Sequence, residues 1–508
     1  MPSQPPGKPR TVGELKRSGY RPRTVKEELR ANLVAKLRRR EEVFIGIIGY
    51  EKTVIPMVQN ALLAQHDLIL LGLRGQAKTR LLRTLPSLLD EWIPVLAGHP
   101  LHEDPLAPMT EAARAAVASQ GDAAPIEWLH RDERYNEKLA TPDVTVADLI
   151  GDIDPIKAAN ERLSLSDSRV MHYGIIPRTN RGIFAINELP DLNTRIQVGL
   201  LNILEERDVQ IRGFPVRLPL DLLMCFTANP EDYTSRGKII TPLKDRIGSQ
   251  VVTHYPPDLK SAVAITRQEA WTDRAGGAEV DLPEFIREIV EEITVEARKS
   301  EFVDQASGVS ARMSIAALEA LTSNAEKRAL FTGERDATAR ICDVYATLPA
   351  LTGKVELVYE GEQQGVVAVG KRLIGAGIKK VFARSFPAAY PTKNPKGKRR
   401  PGQPEPESPP PEDDSPYQEI IRWFAKGNVV DIHDTMATAA YAQELERVPG
   451  LGKLAMDHMK VESKNHEPIA MELLLEGLYQ NSLIAKEELD HGVVYKDILK
   501  TLFESIEA

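Results

Sequence analysis

The strongest chemical motif in the sequence is a glycine-rich stretch that ends in Lys-Thr. It follows the apolar run Asp67–Leu71, precedes a helical pattern over Arg80–Leu89, and consists of Gly72-Leu73-Arg74-Gly75-Gln76-Ala77-Lys78-Thr79. A glycine-rich loop that ends in Lys-Thr between a strand and a helix is the pattern of a phosphate-binding loop. In such a loop, backbone N–H groups and the helix N-terminus surround the phosphates. Lys78 would add a positive charge, and the Thr79 hydroxyl would bind Mg²⁺. We therefore predict an ATP site with Mg²⁺, in which Ala77 stands where a second glycine is usual.

A second pair of polar residues follows the apolar run Gly182–Ile186. Asn187 and Glu188 come directly after it, about 110 positions beyond the glycine-rich loop. In nucleotide-hydrolysing sites an Asp-Glu pair at this place holds the metal and polarises the attacking water. Glu188 is the predicted base, and Thr79, Asn187 and Glu188 form the predicted metal site. Asn187 lacks the charge of Asp, which predicts weaker metal binding or turnover; the alternative is a plain turn after a strand.

Two further residues could complete this chemistry. Asn229 follows the apolar run Leu222–Thr227 and would lie beside Glu188 if the two strands are neighbours, where an amide can position the water and the γ-phosphate. The alternative is an Asn-Pro turn. Arg246 could reach the γ-phosphate of a neighbouring subunit as an arginine finger, or it could simply be solvated or paired.

The elements that must position these residues alternate along the chain. Short β-like runs separated by helical stretches predict an α/β fold, a parallel sheet with helices on both faces. The predicted strands are Leu68–Leu71, Ile126–Leu129, Gly182–Ile186, Leu222–Thr227 and Gln250–Thr253. Ligands bind such sheets at the carboxyl ends of the strands. The alternation from Val209 to Leu218, around Gly213 and Phe214, predicts an inserted β-hairpin.

The two ends of the chain have a different composition. Residues 1–24 are rich in Pro, Gly, Lys and Arg and predict a flexible arm, which is followed by an amphipathic helix over Val25–Arg40. Its basic end, Arg38–Arg40, is either a solvated face or a contact for phosphate or lipid. Nine prolines among the 26 residues of Pro391–Pro416 predict an extended linker, and Tyr417–Ala508 has helical patterns with few strand signals.

Composition excludes several classes of protein. The 508 residues are 42% apolar and 27% charged, and no apolar run is long enough to span a bilayer, so we expect no membrane partner. Two cysteines are too few for a disulfide framework and favour a reducing, cytoplasmic setting. The net charge of -8 argues against a nucleic-acid partner, although residues 1–40 alone carry a balance of +9.

Taken in order, these motifs resemble the AAA+ ATPases of the MoxR and magnesium-chelatase I-subunit clade. The resemblance spans about Phe44 to Phe386 and rests on Ile48-Gly49-Tyr50-Glu51, Gly72 to Thr79, Asn180-Arg181-Gly182-Ile183, Asn187-Glu188, Leu204-Glu205-Glu206-Arg207, the hairpin, Ala228-Asn229-Pro230 and Leu243-Lys244-Asp245-Arg246. It implies an AAA+ core with a β-hairpin before sensor 1, an α-helical lid and, beyond the linker, a helical C-terminal segment.

The resemblance also implies residue roles. Lys78 and Thr79 match Walker A, Glu188 matches the Walker B glutamate, and Asn229 matches sensor 1. Arg246 matches the trans-acting finger, and Arg312 looks like the sensor 2 arginine of the lid. Nucleotide contacts would then come from Ile48, Gly49, Tyr50, Gly72, Leu73, Arg74, Gly75, Gln76, Ala77, Lys78, Thr79, Arg80 and Arg312. Such proteins form ring oligomers, typically hexamers, and often act with a partner that bears a von Willebrand A domain.

These observations predict an ATPase that remodels a partner protein. Two alternatives stay open: the ATPase subunit of a magnesium or cobalt chelatase, and a nucleotide-gated scaffold without turnover. A promoter-opening activator is disfavoured because Phe331-Thr332-Gly333 lies in the lid and not between the Walker motifs. The expected domains are an arm and helix (1–43), the AAA+ core (44–256), the lid (257–390), the linker (391–416) and the C-terminal segment (417–508).

Overall fold

The structure, a computed structural model, describes residues 7–162, 170–210, 217–230, 238–389, 415–489 and 492–498. The chain forms two compact units, residues 1–255 and 256–508, which we describe separately. The predicted linker falls almost entirely outside the described residues, as do Gly213 and Phe214 at the tip of the predicted hairpin. The finer domain limits given above stay predictions.

The first unit contains short helices and strands in alternation. Its helices are α1 (Val12–Arg17), α2 (Val25–Arg38), α3 (Val54–Leu63), α4 (Lys78–Leu82), α5 (Glu111–Gln120), α6 (Val146–Leu149), α7 (Pro155–Glu161), α8 (Ile175–Arg178), α9 (Thr194–Glu205) and α10 (Thr241–Arg246). Its strands are β1 (Leu68–Leu71), β2 (Trp92–Leu96), β3 (Ile126–His130), β4 (Tyr135–Leu139), β5 (Gly151–Ile153), β6 (Met171–Tyr173), β7 (Gly182–Asn187), β8 (Asp208–Gln210), β9 (Arg217–Pro219), β10 (Leu222–Ala228) and β11 (Ser249–Val252).

Five of these strands form one central sheet in the order β11-β1-β10-β7-β4, and every pairing is parallel. Side chains of successive residues alternate between two apolar cores, so that Ile69 and Phe226 lie in one core while Leu68 and Cys225 lie in the other. Helix α9 contributes to the first core, and α2 and α3 contribute to the second. The predicted α/β fold, a parallel sheet with helices on both faces, is confirmed.

One predicted strand does not belong to this sheet. Ile126–Leu129 lies in β3, which pairs antiparallel with β2 in a separate two-stranded sheet. Strand β4, which the sequence analysis did not identify, occupies the edge position beside β7. Its sequence, Tyr-Asn-Glu-Lys-Leu, lacks the continuous apolar run of a central strand because an edge strand is covered less completely.

The N-terminal segment is packed, which corrects the expectation of a flexible arm. Within residues 7–24, α1 contributes Val12 and Leu15 to an apolar cluster, and Thr11 forms a β-bridge with Pro125. The Lys8 ammonium lies 4.3 Å from the centroid of the Trp128 ring. The predicted amphipathic helix is confirmed as α2, which begins with a capping box between Thr24 and Glu27. Part of the positive charge of this segment is therefore in contact with other residues of the first unit.

The predicted hairpin is confirmed at its base, where β8 and β9 pair antiparallel. A second antiparallel pair, β5 with β6, precedes β7, with α7 between its two strands in the sequence. Both insertions leave the central sheet intact.

The second unit is mostly helical. Its helices are α11 (Leu259–Glu269), α12 (Glu284–Ala297), α13 (Arg312–Thr332), α14 (Ile341–Val344), α15 (Leu348–Thr352), α16 (Tyr359–Gln364), α17 (Val366–Ser385), α18 (Gln418–Ala425), α19 (Thr438–Glu446), α20 (Leu451–His458) and α21 (Glu467–Gln480). Its strands are β12 (Glu279–Asp281), β13 (Asp336–Thr338), β14 (Val430–His433), β15 (Ala485–Leu489) and β16 (Gly492–Lys496).

The C-terminal segment differs from the expectation of an all-helical piece. Strands β14, β16 and β15 form an antiparallel sheet, and residues such as Ile420 and Leu474 share one apolar core with Ile289 of α12 and Leu321 of α13. Their strand signals were weak because β15 (Ala-Lys-Glu-Glu-Leu) is mostly exposed. Among the described residues, no helix has both the length and the apolar character needed to cross a bilayer.

Candidate nucleotide-binding site

The carboxyl ends of three adjacent strands bring the predicted site residues of the first unit together. Strand β10 lies between β1 and β7, with Ala228 opposite Leu71 and Phe226 opposite Ile186. The glycine-rich loop after β1, the pair Asn187-Glu188 after Ile186 and Asn229 after β10 therefore meet at one edge of the sheet. The condition placed on Asn229, that its strand neighbours the strand of Glu188, is met.

The glycine-rich loop surrounds the side chain of its own lysine. Lys78 is buried, and its Nζ donates to the carbonyl oxygens of Gly72 and Leu73, the second at 3.0 Å. Gly75 and Ala77 both have positive φ, at 75° and 53°. Ala77 therefore adopts the left-handed conformation that a glycine would adopt at lower cost, about 1 kcal/mol or more.

The helix after the loop is shorter than predicted. Helix α4 ends at Leu82, and a 3₁₀ turn over Leu85–Leu88 replaces the rest of the expected helix. The contribution of a helix dipole to phosphate binding is smaller than a full-length helix would supply. For a bound phosphate, the loop N–H groups and Lys78 would therefore make the larger electrostatic contribution.

Asn187 links the loop to the two neighbouring strands. Its Oδ1 accepts hydrogen bonds from the hydroxyls of Thr79 and Thr227, each at 3.2 Å. The hydroxyl of Thr227 in turn accepts from the N–H of Glu188 at 3.1 Å. Asn187 is only 8% exposed, so the three strand ends are joined by a buried, uncharged network. A carboxylate at residue 187 would make the same contacts and add one negative charge.

Glu188 and Asn229 lie at the open side of this network. Glu188 is partly buried and has φ of 55°, a strained conformation that is typical of functional positions. The Oδ1 atom of Asn229 is buried and has no hydrogen-bond partner among the described residues. Since buried polar atoms are nearly always paired, this atom fits contact with a polar ligand or a bound water.

The donor set suits a nucleotide with Mg²⁺. Loop N–H groups and a lysine match phosphates, and a threonine hydroxyl with nearby amide and carboxylate oxygens matches a cation that keeps several waters. No cluster of three or more His, Cys, Asp or Glu side chains suited to a metal ion occurs within the described part of the chain. The metal would thus be held jointly by the protein and the phosphates.

Thr253, which the sequence analysis missed, and Tyr50, which it predicted as a nucleotide contact, both contact Gln76 of the glycine-rich loop. Thr253, just after β11, donates from Oγ1 to Oε1 of Gln76 at 2.7 Å. The hydroxyl of Tyr50 lies 2.7 Å from the carbonyl oxygen of Gln76 and 2.9 Å from that of His254. Burial raises the pKa of Tyr50 to about 12, so the hydroxyl stays protonated. Position just after a strand of the sheet was the signal that could have identified Thr253.

The remaining predicted residues are more scattered. Ile48 and Gly49 are partly buried in the loop that leads to Tyr50, and Arg80 is exposed on α4. Arg246 at the end of α10 is held by Glu205, whose Oε2 accepts from the guanidinium at 2.6 Å. Arg312 is exposed at the start of α13 in the second unit. The roles of all five stay predictions.

No protein-family model matches the chain. No curated protein matches it either. Among solved structures, NtrX from Brucella abortus in complex with ADP is 13% identical with a TM-score of 0.36, and the alignment covers 68% of this chain and 64% of that chain. A complex of the magnesium chelatase subunits BchI and BchD is 19% identical with a TM-score of 0.34, over 63% of this chain and 98% of that chain.

A RuvB mutant from Thermotoga maritima is 13% identical with a TM-score of 0.32, over 65% of this chain and 69% of that chain. The chain spans less than two thirds of the length of the NtrX structures it matches, 56%, 64% and 55% of three of them. At these values the likeness carries no argument about function. The function is inferred from the residues of the site.

Proposed function

We propose that this protein binds ATP with Mg²⁺ and hydrolyses it as an AAA+ ATPase that remodels a partner protein. The observation that supports this most strongly is the meeting of Lys78, Thr79, Asn187, Glu188 and Asn229 at one edge of a parallel sheet. Five residues suited to phosphate binding and hydrolysis are brought together from three separate parts of the sequence. A structural role alone would not require all of them.

Each residue has a role that follows from its chemistry. Lys78 and the loop N–H groups bind the phosphates, and Thr79 and Asn187 hold the metal, directly or through water. Glu188 orients the attacking water and accepts its proton, and Asn229 positions that water against the terminal phosphate. When bound, Mg²⁺ neutralises charge on the phosphate oxygens.

The proposal extends to assembly and to partners. Arg246 completes the site of a neighbouring copy in a ring, typically a hexamer, and Arg312 contacts the phosphates as sensor 2. The partner is a protein, such as one with a von Willebrand A domain. A reducing, cytoplasmic setting is supported by the two free thiols, Cys225 and Cys342.

Phosphate release by the purified full-length chain tests the proposal. We expect Mg²⁺-dependent ATPase activity that Glu188→Gln reduces at least about 100-fold while ATP binding is kept, because the base acts only in the chemical step. Lys78→Ala is expected to abolish binding as well. The matched control is Glu206→Gln, an exposed glutamate after α9, which should behave as wild type. If the chain shows no ATPase activity that depends on Glu188, with or without candidate partners, the proposed remodelling ATPase is contradicted.

The uncharged Asn187 favours a second candidate, a nucleotide-gated scaffold. Without the Asp carboxylate the metal is held by one charge fewer, so ATP binding could set assembly without turnover. Tight ATP binding with ATP-dependent assembly and no phosphate release, in the presence of excess Mg²⁺, would support the scaffold over the motor.

A further inference from the structure

Three successive residues after β11 contact the glycine-rich loop or the tyrosine that supports it. We call Thr253, His254 and Tyr255 the β11 tail. Thr253 donates to the side chain of Gln76, His254 provides its carbonyl oxygen to the Tyr50 hydroxyl, and the Tyr255 hydroxyl donates to the carbonyl oxygen of Arg74 at 3.2 Å. The contacts with the loop fall at Arg74 and Gln76, between the first glycine and the lysine.

Two hydroxyl–carbonyl contacts fix peptide planes of the loop: Tyr255 donates to the carbonyl of Arg74, and Tyr50 donates to the carbonyl of Gln76. The carbonyl of Arg74 shares its plane with the N–H of Gly75, and the carbonyl of Gln76 shares its plane with the N–H of Ala77. In a trans peptide the C=O and the N–H point in opposite directions. Hydroxyls that hold these two carbonyls on the outside of the loop therefore direct the two N–H groups to the inside, where phosphates are bound.

The packing around these contacts leaves little room for other arrangements. Gln76, Thr253 and Tyr50 are 7%, 4% and 4% exposed. A Cβ on Gly72 would lie 1.9 Å from Oγ1 of Thr253 and 2.1 Å from Oε1 of Gln76, so the Thr253–Gln76 pair fills the space that the glycine leaves. The ring of His254 is held in turn, with Nε2 2.7 Å from the hydroxyl of Thr53.

We propose that the hydroxyls of Tyr50 and Tyr255 are positioning groups that orient the phosphate-binding N–H groups of Ala77 and Gly75. This inference rests on the proposed nucleotide binding; it adds Tyr255 to the predicted residues and gives Tyr50, predicted as a nucleotide contact, an indirect role through the loop backbone. Neither hydroxyl exchanges a proton with substrate, because both act through backbone carbonyls. Their effect is on affinity for the phosphate groups of ATP and ADP.

The test compares nucleotide affinity with fold stability in single and double variants. Tyr50→Phe and Tyr255→Phe each remove one hydroxyl and keep the ring, and each should weaken binding of a fluorescent ATP analogue about 3- to 10-fold. The double variant should lose about 10- to 100-fold. KM for ATP should rise while kcat changes less than about twofold, since the hydroxyls act on binding.

Controls separate positioning from a general loss of stability. Tyr135→Phe is the matched control, because that hydroxyl donates to Glu137 on the edge strand β4 and should not affect affinity. Thr253→Ser keeps the hydroxyl that holds Gln76 and should bind as wild type, whereas Thr253→Val should bind more weakly. Thermal unfolding without nucleotide should shift no more in the Tyr variants than in Tyr135→Phe.

The outcomes distinguish this inference from the proposed function. If the wild-type chain does not bind the ATP analogue, or binds it equally well with Lys78→Ala, the proposed function fails. If the wild type binds and both Tyr variants bind with wild-type affinity, the positioning role is overturned. If Tyr50→Phe does not fold, Tyr255→Phe decides, because that residue is only partly buried.

Discussion

The hydroxyl of Thr79, in the first turn of α4, donates a hydrogen bond to Oδ1 of Asn187, the last residue of β7, 3.2 Å away. These residues are far apart in sequence, and each was predicted separately as a metal-site residue. Their contact places the residue that replaces the usual aspartate directly beside the hydroxyl expected to bind Mg²⁺. In the proposed function, the missing charge would therefore lower the affinity of this site for Mg²⁺.

Restoring that charge should strengthen metal binding. We expect Asn187→Asp to lower the Mg²⁺ concentration needed for half-maximal ATP turnover several-fold, because the carboxylate keeps both hydroxyl donors and attracts the cation. Phosphate release measured against Mg²⁺ concentration checks this. Asn60→Asp, which adds the same charge on the exposed side of α3, is the control. An unchanged Mg²⁺ requirement would mean that residue 187 does not contact the metal shell.

Removal of the Arg246 side chain, which pairs with Glu205, should change the free energy of unfolding little and ATP turnover strongly. We expect Arg246→Ala to lower ATP turnover at least about 100-fold if the arginine acts as a finger. The free energy of unfolding should fall by about 1 kcal/mol or less, since the pair is partly exposed. Lys244→Ala, on the same helix, serves as the control.

Mixing two inactive chains tests whether Arg246 acts on a neighbouring copy. Arg246→Ala provides an intact Glu188, and Glu188→Gln provides an intact Arg246, so mixed assemblies should recover part of the activity. Mixtures that stay inactive, although the chains assemble together, would argue against the trans arrangement.

A buried ion pair joins helix α2 to the core of the first unit. Both carboxylate oxygens of Glu28 accept from Arg134, at 2.7 and 2.6 Å, and both side chains are nearly inaccessible. We expect Glu28→Gln to destabilise this unit by about 3 kcal/mol, because Arg134 would stay buried without its counter-charge. Urea denaturation followed by the fluorescence of Trp92 and Trp128 measures the loss. In Glu41→Gln, whose partner Arg39 is exposed, the change should be below about 0.5 kcal/mol.

The stability of the second unit should depend on pH through Glu291. Burial raises the pKa of this carboxyl to about 7, against the opposing effects of Ser314 and Arg298, and Thr266 donates to it as well. A raised pKa means that the folded state binds more protons than the unfolded state. The associated stability is complete below pH about 4.5 and is lost as pH rises through about 7.

We therefore expect up to about 3 kcal/mol of stability to be lost between pH 5 and 8 in the wild type and not in Glu291→Gln. Thermal unfolding of the full chain at a series of pH values would reveal the difference. Glu301→Gln, an exposed glutamate of the same unit, should keep the wild-type pH dependence. Parallel pH profiles for Glu291→Gln and wild type would contradict the assignment.

Central strands were predictable from sequence because their chemistry is unambiguous. Gly182–Ile186 and Leu222–Thr227 are buried on both faces and are therefore apolar, apart from Thr227 at the end of the second run. The edge strand β4 has the polar pattern of a loop, while β3 has three apolar residues among five and pairs with β2 outside the central sheet. The local sequence pattern of a strand indicates how far it is buried. It does not indicate which sheet the strand joins.

For the N-terminal segment, the sequence analysis predicted less packing than the structure shows. Its lysines, arginines and prolines are typical of an unpacked arm, yet Lys16 pairs with Asp122 at 2.7 Å and Arg23 with Asp90 at 2.5 Å. Both acidic partners lie far along the chain. Charge composition within a window cannot indicate whether such partners exist.

By itself the sequence determined that a phosphate-binding loop follows a strand, that Asn187 and Glu188 end a second strand, and that Asn229 ends a third. These are local facts, set by residue type and by the turn chemistry of each loop. Only the tertiary structure decided that β10 lies between the other two strands, that Asn187 bonds to Thr79, and that Tyr50 and Tyr255 hold the loop from behind. Those relationships depend on strand order and on hydrogen bonds between residues more than 20 positions apart, for which no local pattern provides a signal.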